Sequence, residues 1–260
     1  MFRHVCGLVR SIALIILSLS LVACGRKNST LSLPAPLGSM IEATHDYPGV
    51  GMVVAPGGSG ICTGTFVSDR TVLTAAHCVS AAGQYTFYTS ENTAFTTSKK
   101  LVMGSGSIND LNDIALLIFD RSVAREDQIH RFSNNISLGD TVRLVGLGCN
   151  NLETRRGAGV KRTGTNVVAG LDQYITFLTP RNYARGILGP INRAGSCFGD
   201  SGGPAFSEVN GELLIVGVTH AGGYSGDDLV SEYINVANRG DNRGWLRVQN
   251  AQNNLGMQGL

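Results

Sequence analysis

The chain has 260 residues, of which 34 are glycine and 15% are charged, whereas about 25% of an average protein is charged. This length can form one large domain or two small ones, and the glycine content indicates a turn-rich β protein. The formal net charge of +2 includes Arg3 and Arg10, which lie in a predicted signal peptide. Without them no excess of positive charge remains, so the composition excludes collagen, a coiled coil and a basic nucleic-acid-binding protein.

The first 24 residues have the features of an export signal. Two arginines precede an apolar stretch over 11–23, which is shorter than the roughly 20 residues that a membrane-spanning helix needs. The segment Leu-Val-Ala-Cys that ends at Cys24 resembles a bacterial lipobox, in which the cysteine is lipidated and the signal is cut before it. We therefore predict a lipoprotein signal peptide at 1–23 and a lipid on Cys24, with an ordinary signal or an uncleaved anchor as the alternative.

The residues after Cys24 predict a location. Residues 24–39 are polar with two prolines and have no steady period, which is typical of a flexible tether. Gly25 follows the cysteine where an aspartate would retain a lipoprotein at the inner membrane. The protein is therefore expected to be exported and lipid-anchored, at the outer membrane of a bacterium.

The cysteine count is consistent with this interpretation. Six cysteines, less Cys6 in the signal, leave an odd number in an exported chain. Assigning Cys24 to lipid leaves four, enough for two disulfides in an oxidising compartment. These four are Cys62, Cys78, Cys149 and Cys197.

Short apolar or alternating runs between turn residues predict an all-β fold. The predicted strands are 51–55, 61–67, 71–75, 85–88, 100–103, 114–119, 141–147, 165–169, 174–178, 204–206, 213–219 and 233–236. Only the segment around 243–249 has a helical pattern.

Three segments contain residues suited to catalysis: Thr-Ala-Ala-His-Cys ending at Cys78, Asn-Asp-Ile-Ala-Leu-Leu starting at Asn112, and Cys-Phe-Gly-Asp-Ser-Gly-Gly-Pro starting at Cys197. A serine hydroxyl becomes a good nucleophile when a base takes its proton, and histidine is the side chain best suited to that at neutral pH. A buried carboxylate can fix the imidazole tautomer, and glycines allow a sharp backbone turn.

In their order and spacing these segments resemble the chymotrypsin/trypsin family of serine endopeptidases, over about residues 47–246. The resemblance implies two packed six-stranded antiparallel β-barrels and a C-terminal helix within a domain at 40–251. The N-terminal barrel would span about 47–135, the C-terminal barrel about 136–240 and the helix about 241–251. The active site would lie between the barrels.

The resemblance also implies the role of each residue. His77 would be the general base, Asp113 would orient it, and Ser201 would attack the scissile carbonyl through an acyl-enzyme. The backbone N–H groups of Gly199 and Ser201 would form the oxyanion hole. The protein would hydrolyse polypeptides outside the cytoplasm as a monomer, without a cofactor. The histidines and cysteines have no zinc-ligand spacing, so no metal is predicted.

Both disulfides follow from the resemblance. Cys62 and Cys78 match the family disulfide that holds the histidine loop. Cys197 has no partner at the usual family position, and Cys149 lies on a loop that passes close to it in the family fold. We predict Cys149–Cys197, with two free thiols as the alternative.

The specificity pocket departs from trypsin, which has an aspartate six residues before its serine. Gly195 stands there, so tryptic specificity is not expected; Ser196, Ser231 and Gly222 are predicted pocket neighbours. His220 begins a His-Ala-Gly-Gly segment similar to the His-Trp-Gly-Gly of bacterial glutamyl endopeptidases. It could accept an acidic substrate side chain, donate a hydrogen bond to Asp113, or be a buried structural histidine. Small substrate side chains are the other possibility.

Activation leaves two alternatives. In the family, the counterpart of Asp200 pairs with a new N-terminal amine, but the usual Ile-Val-Gly-Gly start is missing and 40–43 is a poor substitute. Either cleavage near 38–41 activates the enzyme, or Asp200 is stabilised in another way. The rival hypothesis is a catalytically silent lipoprotein of the same fold that binds peptides or a surface partner.

Overall fold

The computed structural model describes residues 40–180 and 193–260. The predicted signal peptide, Cys24 and tether lie outside these residues. The described strands are β1 Ile41–Glu42, β2 Val50–Val54, β3 Ile61–Ser68, β4 Thr71–Thr74, β5 Tyr85–Tyr88, β6 Ala94–Thr97, β7 Lys100–Met103, β8 Ile114–Ile118, β9 Thr141–Gly146, β10 Arg162–Leu171, β11 Tyr174–Pro180, β12 Pro204–Val209, β13 Glu212–Ser225 and β14 Asp228–Asn235. Every predicted strand overlaps one of them, whereas β1 and β6 were not predicted.

The first half of the chain forms a curled, fully antiparallel sheet in the order β6-β5-β2-β3-β4-β8-β7. The resemblance predicts a closed six-stranded barrel here, and the structure differs. The sheet has seven strands, and no ladder among the described residues joins its edge strands β6 and β7. The edge strand β6 has four residues, of which Ala94 and Thr96 are exposed, and it pairs only with β5. The sheet is therefore a half-barrel.

The second half forms a closed six-stranded antiparallel barrel. Its strands follow the order β10-β11-β14-β13-β12-β9, and β9 pairs back onto β10 to close the ring. The short strand β1 pairs with β10 through Ile41 and Glu42. A helix, α1, over Gly240–Asn253 follows β14. The architecture is therefore mostly β with one C-terminal helix.

Buried aliphatic and aromatic side chains join the two sheets. Leu73 and Leu116 of the half-barrel share a core cluster with Val145 and Phe206 of the barrel and with Leu246 of α1. All five residues of β8 are buried, which explains its unbroken apolar sequence. No helix in the described part of the chain is long and apolar enough to cross a membrane.

Candidate active site

His77 and Asp113 meet because their strands are antiparallel neighbours. His77 lies in the 3₁₀ helix Ala76–Val79 just after β4, and Asp113 directly precedes β8. The pairing of Thr74 with Ala115 puts the end of β4 beside the start of β8. Asp113 Oδ2 lies 2.6 Å from His77 Nδ1, and Oδ1 accepts the His77 backbone N–H at 2.8 Å. Since a carboxylate only accepts, His77 Nδ1 carries a proton and Nε2 is left as the basic atom.

The loop that carries Ser201 packs against this histidine helix. The Ser201 carbonyl accepts the Thr63 N–H at 2.8 Å and lies 3.7 Å from the sulfur of Cys78, the residue after His77. Gly202 has a φ of +82°, and a Cβ there would be 2.2 Å from Thr74 Oγ1. Glycine is therefore required for this close approach, which seats the serine loop at the junction of the two sheets.

Residues 197–200 form a turn in front of Ser201. The Asp200 N–H donates to the Cys197 carbonyl at 3.0 Å, and Gly199 in the third position has a φ of +101°. A positive φ at that position defines a type II turn and favours glycine. The N–H groups of Gly199 and Ser201 donate to no acceptor in the described part of the chain. Both predicted oxyanion donors are therefore free to bind a ligand.

The buried carboxylate of Asp200 supports this turn. Its Oδ2 accepts the Cys197 N–H at 2.7 Å and its Oδ1 accepts the Gly148 N–H at 2.6 Å. Burial raises the pKa of Asp200 to about 6, although these two hydrogen bonds and the charge of Arg162 act in the opposite direction. Arg162 is itself buried and donates to the carbonyls of Gly148, Gly157 and Val160. The sequence gives no signal for this arginine.

Two disulfides are present, and they join the predicted cysteine pairs. Cys62–Cys78 links β3 to the histidine helix. Cys149–Cys197 links the loop after β9 to the first residue of the oxyanion turn. The Cys149 N–H also donates to the Phe198 carbonyl at 2.9 Å. The turn is therefore fixed both covalently and by hydrogen bonds.

His220 stands at a β-bulge in β13. The pairing with β14 shifts between Thr219 and Ala221, so His220 has no partner in the ladder. Bulges of this kind redirect a side chain. His220 Nδ1 lies 2.7 Å from Asp113 Oδ2, and its ring stacks on Tyr174 with 5.1 Å between centroids. Burial acts to raise the pKa of Asp113, but the hydrogen bonds from His220 and His77 and the charge of His77 outweigh it, so the pKa is lowered.

A cavity of about 90 Å³ lies beside Ser201. Its described lining includes Ser196, His220 and Gly222, together with the apolar rim residues Ile108, Leu152 and Phe198. Two further residues predicted for the pocket, Gly195 and Ser231, are not among them. Ser231 is buried behind the wall, where its hydroxyl accepts the Ser196 N–H at 2.9 Å.

Leu229 packs against Gly195. A Cβ on Gly195 would lie 2.6 Å from Leu229 Cδ2, so the leucine occupies the space next to this glycine. Leu229 is fully buried and packs with the Cys149–Cys197 disulfide. No motif in the sequence marks this leucine.

The segment at 40–43 is built into the barrel edge. Met40 is buried, Ile41 and Glu42 pair with Thr163 and Arg162 of β10, and the Ala43 N–H donates to the Lys161 carbonyl at 3.0 Å. The positive charge that acts on the Asp200 carboxylate is the Arg162 guanidinium.

Within residues 40–180 and 193–260, two residue groups have donor atoms close enough for a metal ion: Cys62, His77 and Cys78, and the trio His77, Asp113 and His220. The two cysteines form a disulfide, which removes them as thiolate ligands. In the second group, both imidazole Nδ1 atoms already bind the Asp113 carboxylate.

Comparison with known proteins identifies the family of the chain. The trypsin family model matches residues 41–241. Trypsin delta and trypsin gamma of Drosophila erecta are each 24% identical over 213 residues, which cover 75% of this chain and 80% of theirs. A solved structure of a Glu endopeptidase in complex with MPD matches with a TM-score of 0.59 and 18% identity, over 85% of this chain and 100% of that one.

The fold is therefore that of a trypsin-like serine endopeptidase. The chain belongs to the trypsin family, as the resemblance in the sequence predicts.

Proposed function

We propose that the chain hydrolyses peptide bonds with Ser201 as nucleophile, His77 as general base and Asp113 as the group that orients His77. The observation that carries this proposal is the combination of a formed His77–Asp113 contact with free backbone N–H groups on Gly199 and Ser201. A binding protein would not need both. A positive charge within the chain, on Arg162, acts to lower the pKa of Asp200, which supports activity without a new N-terminal amine.

In the proposed reaction, Ser201 Oγ bonds to the scissile carbonyl carbon while its proton passes to His77 Nε2. The Gly199 and Ser201 N–H groups stabilise the oxyanion of the tetrahedral intermediate. His77 then gives the proton to the leaving amine, and the carbon–nitrogen bond breaks to leave an acyl-enzyme. Water then attacks the acyl-enzyme with His77 as the general base, and the carboxylic acid is released from Ser201.

The test is covalent labelling of the full chain with a fluorophosphonate, followed by intact mass measurement, beside a Ser201→Ala control. We expect one adduct on the wild type, at an uncut mass, and none on the variant. Labelling only after limited proteolysis would show that cleavage is required. No labelling in either state would contradict the proposal and favour the silent peptide-binding protein.

For the residue before the cut we propose short side chains. The cavity beside Ser201 is about 90 Å³, and Ser196 provides a polar wall. Glu or Asp is the second candidate, because His220 lines the cavity and a structural relative is a Glu endopeptidase. A peptide library varied at this position separates them: cleavage after Ala or Ser supports the first, cleavage after Glu or Asp the second, and cleavage after Arg or Lys contradicts both.

We also propose that the enzyme acts outside the cytoplasm, anchored through lipid on Cys24. The supporting observations are the apolar stretch over 11–23 and the lipobox-like segment at its end. Two disulfides fit an oxidising compartment. Cells fed a tagged fatty acid should label the wild type and not Cys24→Ser; equal labelling of both would contradict the anchor.

A further inference from the structure

A second cavity lies where the half-barrel meets the barrel, and it shares no lining residue with the cavity beside Ser201. Its volume is about 280 Å³, close to the lower end of the range of about 300–1,000 Å³ that is usual for small-ligand sites. Apolar side chains from both halves of the fold form much of its wall: Val50 and Met52 of β2, Leu147 after β9 and Val160 before β10. The cavity therefore offers an apolar ligand contacts on two sides.

Lys161 is a buried cation on the wall of this cavity. Its residue is 4% exposed, and its Nζ donates to the carbonyls of Asp46 and Tyr47, each at 2.9 Å, and to the Ser90 hydroxyl. All three acceptors are neutral, and no described carboxylate lies within ion-pair distance of this ammonium group. Burial lowers the pKa of Lys161 to about 8, although the charge of Asp46 acts in the opposite direction.

The other titratable groups near Lys161 do not supply the missing negative charge. Asp46 offers Lys161 its backbone carbonyl, while its carboxylate acts only at a distance through its charge. Burial lowers the pKa of His130, and the positive charge of Lys161 acts in the same direction, so this side chain is neutral. Tyr88 is the third titratable group, and it lines the cavity. A buried charge without a counter-ion is costly, so an anion in the cavity would be stabilised.

Ser90 provides a hydrogen-bond donor for such an anion. Its hydroxyl accepts a hydrogen bond from Lys161, and its own proton points to the Val50 carbonyl at 3.4 Å, which is long for a hydroxyl donor. This proton can turn to a ligand at little cost. Ser90 and Lys161 both line the cavity.

We propose that this cavity binds a small carboxylate with an unbranched apolar chain. The carboxylate accepts from Ser90 beside the Lys161 ammonium, and the chain lies against Met52, Leu147 and Val160. This inference does not depend on the proposed hydrolysis, because no residue of the cavity wall belongs to the triad or to the oxyanion turn.

The test is titration calorimetry of the full chain carrying Ser201→Ala, at pH 7, with three probes of equal chain length: octanoate, octanol and octylamine. We expect octanoate to bind about tenfold more tightly than octanol, because a hydrogen bond between charged groups is gained. Octylamine should not bind, since its charge has the same sign as that of Lys161. Equal affinities for octanoate and octanol, or no binding of octanoate, would overturn the proposal.

Two variants locate the bound carboxylate. Lys161→Met keeps the length of the side chain without its charge, and it should reduce the affinity for octanoate to that for octanol. Because Lys161 also holds two backbone carbonyls, Ser90→Ala is the second variant; it keeps the ammonium group and should weaken octanoate a few-fold. The matched control is Lys100→Met, which removes a lysine bonded to the carbonyls of Val79 and Ala81 away from the cavity. Octanoate bound at the oxyanion turn instead would respond to neither cavity variant, and this result would contradict the proposal.

The pH dependence provides a third measurement. Octanoate stays ionised between pH 7 and 9, whereas Lys161, with a pKa of about 8, loses its proton over this range. We expect the affinity for octanoate to fall about fivefold from pH 7 to pH 9, since the bound anion keeps part of the proton on Lys161. The affinity for octanol should not change. An octanoate affinity that is equal at the two pH values would show that Lys161 does not bind the carboxylate.

Discussion

Asp113 of the half-barrel and Asp200 of the barrel are both buried carboxylates beside the serine loop, but their electrostatic environments differ. Asp113 receives two imidazole N–H groups and a backbone N–H, and its pKa is lowered in spite of burial. Asp200 receives two backbone N–H groups, and burial raises its pKa to about 6. The Arg162 guanidinium acts on Asp200 through its charge and not through a hydrogen bond, and its Nη1 donates to backbone carbonyls instead.

The difference shows that burial alone does not decide the charge state of a carboxylate. Imidazole donors can themselves become positive, so they stabilise the ionised Asp113 while a proton moves through His77. Backbone amides bring no net charge, so Asp200 is stabilised mainly as a hydrogen-bond acceptor that shapes the turn. Asp113 therefore controls the proton on His77, whereas Asp200 controls the shape of the turn.

The largest expected effect is for Asp113→Asn. The amide has one acceptor oxygen where the carboxylate has two, so its nitrogen would oppose either the His77 backbone N–H or both imidazole N–H groups, and the His77 tautomer would no longer be fixed. We expect kcat to fall about 10⁴-fold with KM nearly unchanged. Steady-state kinetics on a peptide ester measure this. A fall in kcat of less than tenfold would mean that the contact of Asp113 with the two histidines does not control His77 as the base.

A smaller effect is expected for Asp200→Asn. Its amide group can accept only one of the Cys197 and Gly148 N–H groups, so the turn loses one of its two supports. If this misplaces the Gly199 N–H, kcat should fall by about 10²–10³, the usual result of losing one oxyanion donor. The control is Asp140→Asn, an exposed aspartate whose carboxylate caps the Ser137 N–H. Equal activities for Asp200→Asn and the control would contradict the supporting role.

How far the sequence predicts the fold depends on how strongly each segment is patterned. The alternating residues of β5, Tyr85–Tyr88, predict that strand at its observed bounds. The sequence does not predict the strand β6, because its residues Ala94–Thr97 show no apolar alternation, and two of the four are exposed. The strand β1 has only two residues, both exposed, and is defined by backbone pairing with β10. Such strands depend on a neighbour that the local sequence does not reveal.

The same limit applies to the site. The segments around His77, Asp113 and Ser201 are short motifs, so the sequence predicts them directly. The contact between His220 and Asp113 joins residues that are 107 positions apart in the chain. The sequence therefore leaves three interpretations of His220 open, and only the fold, with its bulge in β13, shows this contact. Leu229 belongs to no motif, and only the fold puts it against Gly195.

The smallest expected effect is on the free energy of unfolding, whose pH dependence should differ between the two aspartates. Asp200 has a folded pKa of about 6 against about 3.9 in an unfolded chain, so between these values the folded state binds more proton. Lowering the pH from 8 to 4 should therefore stabilise the wild type relative to Asp200→Asn by about 2 kcal/mol, and the full effect of a shift of about two units, about 3 kcal/mol, is reached only below the unfolded pKa. Urea unfolding at each pH, with both disulfides intact, measures the difference.

For Asp113 the same experiment should show a pH dependence of stability with the opposite sign. Its folded pKa lies below the unfolded value, so its contribution to stability is complete above about pH 4 and is lost as the pH falls further. The free energy of unfolding of wild type minus Asp113→Asn should stay level from pH 8 to about 5 and then decline. If the free energy of unfolding of wild type minus Asp200→Asn instead showed the same pH dependence, the backbone amides and Arg162 would outweigh the effect of burial on the pKa of Asp200. Asp200 would then be ionised throughout the working range, and the contrast between the two carboxylates would lie in their geometry alone.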